Sequence, residues 1–407
     1  MPSTVKSPPA SALAPRGAGL RPAAVLALGT FAVGTDAFVT AGFLPAMADA
    51  LQVSTAAAGQ SVSLFAAVYA VASPLLAVVT ARLPRRTLLV GALVLLAAAN
   101  AASALAPTYA ALLAGRVLAA LGAAAFTPTA GATAAALVRA ESRGRALAVV
   151  IGGLTAATAL GVPLGRVAAV GLGWRAALGA VAALSALGAL AVGLALPRLP
   201  GAEPVSLRRR LAALRRPGVL SVLPLTVLGM AACYVPYSYS VPMLAAVGVS
   251  GRVAVPVVLV LYGVGAVAGN LLAGRWTDRA GPVRVLTAGY AAMAVSFTAL
   301  TGLAAGHPRT GIPTGVLAFL WGASSWCQTP AQQHRLLAAA PEQAALLVSL
   351  NASAIYLGIG GGTVLGGLAL PSGAVAVFAL AAVLACGAAG FLRVSAARNR
   401  SGGTTST

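Results

Sequence analysis

The segment PAAVLALGTFAVGTDAFVTAGFL, residues 22–44, contains one acidic residue, Asp36, among side chains that are otherwise apolar, small or hydroxyl-bearing. It is long enough to cross a hydrocarbon core of about 30 Å as a helix. Apolar runs of roughly 20 residues recur as far as Leu392, and we count about twelve of them. Backbone groups in lipid must pair within their own segment, and these Ala- and Leu-rich runs are too long for barrel strands. The sequence therefore predicts an all-α integral membrane protein with about 12 transmembrane helices.

The formal net charge of +21 raises the question of a nucleic-acid partner. The chain of 407 residues is 59% hydrophobic and only 8% charged. With the amino terminus placed in the cytoplasm, 22 of the 27 basic residues fall in cytoplasmic tails and loops, three in external loops and two within helices. This is the positive-inside pattern of multi-pass membrane proteins. The basic residues thus predict an orientation with both termini cytoplasmic, and they require no nucleic acid.

Two loops, AVVTARLPRR at 77–86 and GRWTDRAGPVR at 274–284, indicate an internal repeat. Arg82 and Arg279 are 197 residues apart, about half the chain, and six apolar runs lie on either side of an Arg-rich polar segment. Two related halves place a binding site at their interface near the bilayer midplane. The predicted organisation is a disordered cytoplasmic tail at 1–21, a six-helix bundle at 22–196, a cytoplasmic linker at 197–217, a second six-helix bundle at 218–392 and a cytoplasmic tail at 393–407.

Both loops resemble the signature loop of the major facilitator superfamily, G-x-x-x-D-R-x-G. The second copy has every residue of the pattern, namely Gly274, Asp278, Arg279 and Gly281. The first copy keeps its basic residues, Arg82, Arg85 and Arg86, but has Ala77, Ala81 and Pro84 at the other positions. The resemblance implies a gating role for these loops at the cytoplasmic side, and the Asp of the pattern is present only in the second half.

Four further stretches are similar to the proton-coupled drug exporters of this superfamily, especially the bacterial chloramphenicol- and arabinose-efflux group. They are GTDAFVTAGFLP (34–45), GRVLAALGAAA (115–125), GVPLG (161–165) with GWR (173–175), and NASAIYLGIGGGTVLGG (351–367). The resemblance implies a monomeric antiporter in the bacterial inner membrane that exports a small-molecule drug or metabolite and uses the proton gradient, with no cofactor.

Depth within the membrane predicts a partner for Asp36. At about 1.5 Å per residue, Asp36 lies about 9 Å below the outer face, and Arg116, on the oppositely directed fourth helix, lies about 10 Å below it. Charges inside a membrane usually pair with one another. Burial favours the neutral acid whereas a nearby guanidinium favours the carboxylate, so we predict that Asp36 is the proton-coupling residue and Arg116 its partner. The alternative is a purely structural ion pair that fixes helix packing.

The GVPLG segment resembles a trimmed antiporter motif of helix 5. Gly161 and Gly165 allow helices to approach closely, and Pro163 bends the helix, which suits a seal that opens and closes. Proline with small residues is also common in membrane helices of every function.

The predicted substrate contacts are Tyr234 and Trp321, which lie at matching depth, with Tyr237 and Asn351 as further candidates. The alternative for each aromatic residue is simple packing between helices. Because Asp36 is the only acidic residue deep in any predicted span, neutral or amphipathic substrates of the amphenicol type are expected rather than permanent cations.

Enzyme functions are disfavoured by the motifs. The glycines of GVGAVAG, 263–269, follow no strand and lie inside an apolar run, so they predict helix packing rather than dinucleotide binding. The only lysine is Lys6, which excludes a Walker A loop, and neither the two histidines nor the three cysteines form a metal-binding pattern. Two alternatives to an exporter stay open: a sugar or metabolite facilitator or importer of the same fold, and a non-transporting membrane receptor or scaffold.

Overall fold

The computed structural model describes residues 20–139, 142–201, 212, 216–306, 311–339 and 344–401. All regular elements within these ranges are helical. The α-helices are α1 Arg21–Val39, α2 Leu44–Ala50, α3 Thr55–Val79, α4 Arg85–Ala104, α5 Tyr109–Ala136, α6 Arg143–Leu172, α7 Trp174–Ala195, α8 Pro217–Leu220, α9 Leu223–Tyr237, α10 Ser240–Ala246, α11 Ala254–Ala280, α12 Pro282–Gly306, α13 Gly311–Trp326, α14 Gln328–Ala339, α15 Ala344–Ala369 and α16 Gly373–Ser401. Short 3₁₀ turns occupy Thr40–Gly42 and Leu370–Ser372.

The predicted membrane class is confirmed. Ten helical segments of the described chain are long and apolar enough to cross a membrane by length and composition. One of these, Leu346–Ala397, is 52 residues long and contains both α15 and α16. Helices α13 and α14, separated only by Cys327, form one more traverse. The ten segments, one of which holds two helices, give eleven traverses, and α13–α14 adds the twelfth, as the apolar runs predicted.

The described residues cover most of both predicted six-helix bundles. Helix α16 continues past Leu392 to Ser401, so the first residues of the predicted carboxy-terminal tail are helical. Residues 1–19, most of the predicted linker and residues 402–407 lie outside the described part.

Helices α1–α7 and α8–α16 form two halves. In the first, α1 packs on α6 and α7, and α4 packs on α5 and α7. In the second, α11 packs on α13, α9 on α15, and α12 on α16. The halves meet along two helix pairs, α3 with α15 and α6 with α11. A site shared by both halves would therefore lie between these two pairs.

The first traverse of each half bends near the same end of the bundle. Helix α1 ends at Val39, and Pro45 then occupies the first turn of α2, where its missing N–H costs no helical hydrogen bond. Helix α9 ends one residue after Pro236, and α10 follows. Helices α2 and α10 contact each other across the two halves. We call this end of the bundle, which carries residues 40–54, the outer end, and the opposite end the inner end.

Glycines bring helix backbones into contact within the second half. Gly358, Gly362 and Gly366 are spaced four residues apart on α15, and a Cβ at each would overlap the backbone of α9. Glycine at this spacing lies on one face of a helix and allows close approach. The glycine-rich stretch after Tyr356 therefore packs helices together.

Candidate functional site

Asp36 and Arg116 form a buried ion pair between α1 and α5. Arg116 Nη1 donates a hydrogen bond to Asp36 Oδ1 at 2.6 Å, and Nη2 donates to the main-chain oxygen of Asp36 at 3.4 Å. The exposed fractions of the two side chains are 1% for Arg116 and 0% for Asp36. Within the described ranges this is the only ion pair. The structure thus brings together the two residues that depth counting placed at one level of the membrane.

Small neighbours determine how closely the helices carrying this pair approach the rest of the half. Gly34 of α1 lies against Leu154 and Ala157 of α6, and a Cβ on Gly34 would come within 2.6 Å of the Ala157 side chain. Gly115, next to Arg116, packs against Ser103 of α4. Asp36 and Arg116 thus each lie one or two residues after a glycine that fixes the position of its helix.

Two polar atoms of the pair have no hydrogen-bond partner among the described residues. They are Asp36 Oδ2 and Arg116 Nε, and both are buried. Buried polar atoms of native proteins are nearly always satisfied by protein or water, so each exception calls for an explanation. Asp36 Oδ2 is an acceptor that no described donor occupies, and it is therefore the oxygen of this carboxylate at which a proton can bind.

An aromatic side chain from α3 lies beneath the guanidinium. The Cζ atom of Arg116 lies 4.5 Å from the ring centroid of Phe65, within the range of a cation–π interaction. The Phe65 ring contacts Tyr356 of the second half, with centroids 6.2 Å apart. Tyr356 in turn stacks on Tyr69, with centroids 3.7 Å apart and ring planes 24° apart. The ion pair is thus one ring away from the interface between the halves.

Sequence reasoning assigned no role to Phe65, Tyr69 or Tyr356. Phe65 lies ten residues from the start of α3, about 15 Å from the outer end, so depth counting would have placed it near the level of Arg116. Depth alone does not tell which face of α3 a residue occupies, and that face decides whether Phe65 meets Arg116.

The second half contains an aromatic cluster. Tyr237 lies at its centre, with centroid distances of 5.1 Å to Tyr234, 4.6 Å to Tyr262 and 6.1 Å to Trp321. Trp321 also contacts Phe297 at 5.6 Å. The structure therefore brings together three of the four predicted substrate contacts and adds two rings that the sequence did not single out.

Three polar atoms of this cluster are buried without a hydrogen-bond partner in the described part of the chain. They are the Oη atoms of Tyr234 and Tyr237 and the Nε1 atom of Trp321. Buried Tyr and Trp side chains usually have a partner for these atoms. The cluster can therefore offer both ring faces and hydrogen-bonding groups to a small molecule.

Asn351, the fourth predicted contact, lies elsewhere. Thr226 Oγ1 donates a hydrogen bond to Asn351 Oδ1 at 3.2 Å, and both side chains are buried. Thr226 precedes Tyr234 by eight residues on α9, which corresponds to about 12 Å along the helix. The structure thus places Asn351 toward the inner end and outside the aromatic cluster.

The two predicted signature loops lie at equivalent positions at the inner end. Arg82 is exposed in the turn after α3, Arg85 and Arg86 begin α4, and the Arg85 N–H donates to the Leu199 carbonyl at 3.0 Å. In the second loop, Asp278 and Arg279 are exposed in the last turn of α11.

The glycines of the second loop have separate surroundings. Gly281 has a φ of 84°, a left-handed conformation that disfavours other residues. A Cβ on Gly274 would meet open space, and Asp278 makes no ion pair with any described residue. In this conformation neither Gly274 nor Asp278 fixes the loop against another described helix.

The predicted helix 5 motif lies on α6, beside the ion pair. A Cβ on Gly165 would lie 2.6 Å from both the Cγ2 atom and the carbonyl oxygen of Val39, and a Cβ on Gly161 would lie 3.3 Å from the Cβ of Phe38. Pro163 is buried within the same helix. The motif therefore holds α6 against the segment of α1 that follows Asp36.

Twelve traverses in two halves, with one candidate site in each half, are the architecture of a secondary transporter. The chain belongs to the Major Facilitator Superfamily, because the model of that family matches residues 26–259, more than half of the chain. It is a multi-pass membrane transporter and not an enzyme.

Three curated relatives from bacteria are similar over most of their length. The inner membrane transport protein YdhP of Escherichia coli (strain K12) is 32% identical, over 86% of this chain and 89% of its own. A chloramphenicol resistance protein of Streptomyces lividans is 36% identical, over 70% and 73%. A protein of Mannheimia succiniciproducens named a probable sugar efflux transporter is 28% identical, over 84% and 85%.

Solved structures share the fold. The crystal structure of a D-xylose–proton symporter superimposes with a TM-score of 0.74 at 16% identity, covering 91% of this chain and 96% of that one. At this identity the likeness shows the architecture alone.

Proposed function

We propose that this protein exports a small neutral or amphipathic molecule in exchange for protons by alternating access, with Asp36 as the coupling carboxylate. The observation that carries the proposal is the buried pair of Asp36 with Arg116, in which Asp36 Oδ2 is left without a described partner. The other two acidic residues of the described chain, Asp49 and Asp278, are exposed. Asp36 is therefore the one described acid whose charge state can depend on which side of the membrane is open.

The coupling follows from the cost of buried charge. A carboxylate in this environment is stabilised mainly by Arg116, so protonation of Oδ2 removes most of the attraction between the two side chains. Exchange requires that the protonated form and the substrate-bound form exclude each other. The two halves then alternate in exposing the site to either side, which converts the proton gradient into export.

The aromatic cluster supports a neutral substrate. Tyr234, Tyr237 and Trp321 offer apolar faces and unpaired hydrogen-bonding atoms, and no acidic residue of the described chain lies among them. Such a surface suits an uncharged molecule that has an aromatic or apolar part and a few polar groups. The relative from Streptomyces lividans, named for chloramphenicol resistance, supports a substrate of this kind.

A sugar or metabolite facilitator or importer is the second candidate. The relative named a probable sugar efflux transporter supports it, and hydroxyl groups of a sugar would also pair with the free atoms of the cluster. A non-transporting receptor or scaffold is disfavoured by membership of the superfamily.

Several further features belong to the same proposal. The protein would act as a monomer in the bacterial inner membrane, with both termini cytoplasmic, and would need no cofactor because the proton gradient supplies the energy. The excess of basic residues in the inner loops supports this orientation.

Transport into liposomes that contain the purified protein tests the proposal. Uptake of chloramphenicol and of arabinose would be followed with the interior more acidic than the exterior, and then with the gradient reversed. For one proton exchanged per neutral substrate, a gradient of about two pH units supports accumulation of up to about 100-fold. The variants are Asp36→Asn and, as a matched control, Asp49→Asn, which removes an exposed acid close by in the sequence.

We expect chloramphenicol to accumulate only when the interior is acidic, and Asp36→Asn but not Asp49→Asn to abolish this accumulation. Accumulation with an acidic exterior would indicate an importer. Equal gradient-driven uptake by Asp36→Asn and the wild type would reject Asp36 as the coupling site and favour the structural ion pair. Uptake of arabinose alone would favour the second candidate.

A further inference from the structure

A continuous line of contacts joins the ion pair to the interface between the halves. It runs from Asp36 to Arg116, from the Arg116 guanidinium to the Phe65 ring, and from Phe65 to Tyr356. Each of these side chains is buried, the most exposed being Tyr356 at 7%. Three of them belong to the first half and Tyr356 to the second. Phe65, the residue between Arg116 and Tyr356, is uncharged.

The Tyr69–Tyr356 stack lies about midway along α3 and α15. From there toward the outer end the two halves are in close contact. A Cβ on Gly360 would lie 3.3 Å from the Ser63 carbonyl oxygen, and Gly59 and Gly367 both face the Tyr239 ring. In the conformation described here the outer part of the α3–α15 interface is therefore closed. Among the contacts named, the Tyr69–Tyr356 stack lies nearest the inner end.

We propose that, while no substrate is bound, Phe65 and Tyr356 transmit the charge state of the Asp36–Arg116 pair to this interface. The outer end of the empty protein is then held closed while the pair is ionised and is released when Asp36 is protonated, and export requires that substrate binding releases it as well. Phe65 and Tyr356 are positioning residues, since they act through the pair and need not touch substrate. The inference rests on the proposed function, in which Asp36 binds the coupling proton.

The physical basis is the position of the guanidinium. The Asp36 carboxylate accepts one hydrogen bond from Arg116, and the main-chain oxygen of Asp36 accepts a second, at the place where the guanidinium lies over the Phe65 ring. Only the first of these depends on the charge of Asp36. When Asp36 becomes neutral, the buried guanidinium needs other partners, because it cannot lose its own proton. A shift of the guanidinium removes the cation from Phe65, and Phe65 then supports Tyr356 less firmly. A cation–π contact at a desolvated site changes an equilibrium by roughly 2- to 30-fold.

Other titratable groups on the helices around Asp36 do not explain such a response. Asp36 is the only carboxylate on α1 and on the helices packed against it in the described chain. The remaining groups there are tyrosines and arginines, which titrate in water at about pH 10 and above. They are Arg21 on α1, Tyr69 on α3, Tyr109 on α5, Arg143, Arg145 and Arg166 on α6, Arg175 on α7, and Tyr356 on α15.

Distances between spin labels at the outer end would test the inference. Leu105→Cys and Val253→Cys place labels on the two halves at positions that are 81% and 75% exposed. The three native cysteines would be replaced by alanine, and the full chain would be measured in lipid nanodiscs between about pH 5 and about pH 9. The variants are Asp36→Asn, Phe65→Leu, Tyr356→Leu and Tyr356→Phe. Phe126→Leu is the matched control, because Phe126 is a fully buried ring of the same half that packs on Gly29.

In the wild type, acid should increase the long-distance population, and Asp36→Asn should abolish this dependence on pH. Phe65→Leu should reduce the response to acid by roughly 2- to 30-fold, while Phe126→Leu leaves it unchanged. Tyr356→Leu should enlarge the long-distance population at every pH, whereas Tyr356→Phe, which keeps the ring, should behave as the wild type.

The outcomes separate this inference from the proposed function. If Asp36→Asn abolishes the pH response but Phe65→Leu and Tyr356→Leu retain it in full, the aromatic link is rejected and the coupling role of Asp36 stands. An equal loss in Phe65→Leu and Phe126→Leu would also reject it, because general loosening of the half would then be the cause. A wild type whose distances do not change with pH would overturn this inference, and the liposome assay would still decide the coupling role of Asp36.

Discussion

Tyr356 of α15 stacks on Tyr69 of α3 with 3.7 Å between ring centroids, and this contact crosses from one half of the transporter to the other. The neighbouring ring, Phe65, lies under the guanidinium that pairs with Asp36. The carboxylate proposed to bind the coupling proton and the interface between the halves are therefore adjacent in this fold.

The ion pair predicts that removal of either partner alone destabilises the protein. Arg116→Leu leaves the Asp36 carboxylate buried without a cation, which costs about 3–5 kcal/mol. Asp36→Asn leaves a buried guanidinium that cannot release its proton, so a loss of similar size is expected.

Thermal unfolding in detergent measures the stability of each variant against the wild type. The double variant Asp36→Asn/Arg116→Leu carries no buried charge at this place and should be more stable than either single variant, although it should not couple transport to protons. A double variant as unstable as the sum of the two singles would show that the charges do not interact.

The α1–α6 contact predicts different tolerances at two glycines of one motif. Gly165→Ala places a methyl group 2.6 Å from Val39, including its backbone, and overpacking of this kind costs about 1–3 kcal/mol. Gly161→Ala places it 3.3 Å from the Phe38 Cβ, where a small shift suffices. We expect Gly165→Ala to lower the unfolding temperature clearly and Gly161→Ala to change it little, and the reverse order would contradict the packing described here.

Adjacent glycines on α15 provide an internal control for the α9–α15 contact. A Cβ on Gly362 would lie 2.5 Å from the Ala231 carbonyl oxygen, whereas a Cβ on Gly361 would meet nothing within 4 Å. Gly361→Ala should therefore be neutral or slightly stabilising, since alanine is favoured over glycine in helices by about 1 kcal/mol. Gly362→Ala should reduce the yield of folded protein, as measured by fluorescence-detected gel filtration. Equal yields would show that these helices can move apart at no cost.

A buried polar chain predicts a contrast between two tyrosines. Tyr290 Oη donates to Gln328 Oε1 at 3.1 Å and accepts from Gln332 Nε2 at 3.3 Å. Tyr290→Phe leaves both amides without this partner and should lower the free energy of unfolding by about 1–3 kcal/mol.

In contrast, Tyr237 Oη has no hydrogen-bond partner in the part of the chain that the structure describes. Tyr237→Phe should therefore leave stability unchanged or improve it, while weakening substrate binding if the aromatic cluster contacts substrate. Comparison of unfolding midpoints for the two variants measures the first effect, and KM in the liposome assay measures the second. A loss of stability in Tyr237→Phe as large as in Tyr290→Phe would mean that its hydroxyl has a structural partner.

Several features followed from the sequence alone. The number of traverses and the common depth of Asp36 and Arg116 depend only on position along the chain, because hydropathy and helical rise are properties of single segments. The glycines of GVGAVAG, 263–269, for which the sequence predicted helix packing, lie against the backbones of α6 and α13.

The tertiary structure decided which residues meet. Phe65 and Tyr356 lie beside the ion pair, Tyr262 joins Tyr237 to Trp321, and Asn351 bonds Thr226 instead of joining the aromatic cluster. The rotation of each helix about its axis selects the face that contacts a neighbour, and that rotation is set by packing against other helices at glycine contacts. The amino-acid sequence specifies the depth of a residue in the membrane, whereas the direction in which its side chain points depends on helices that are distant in the sequence.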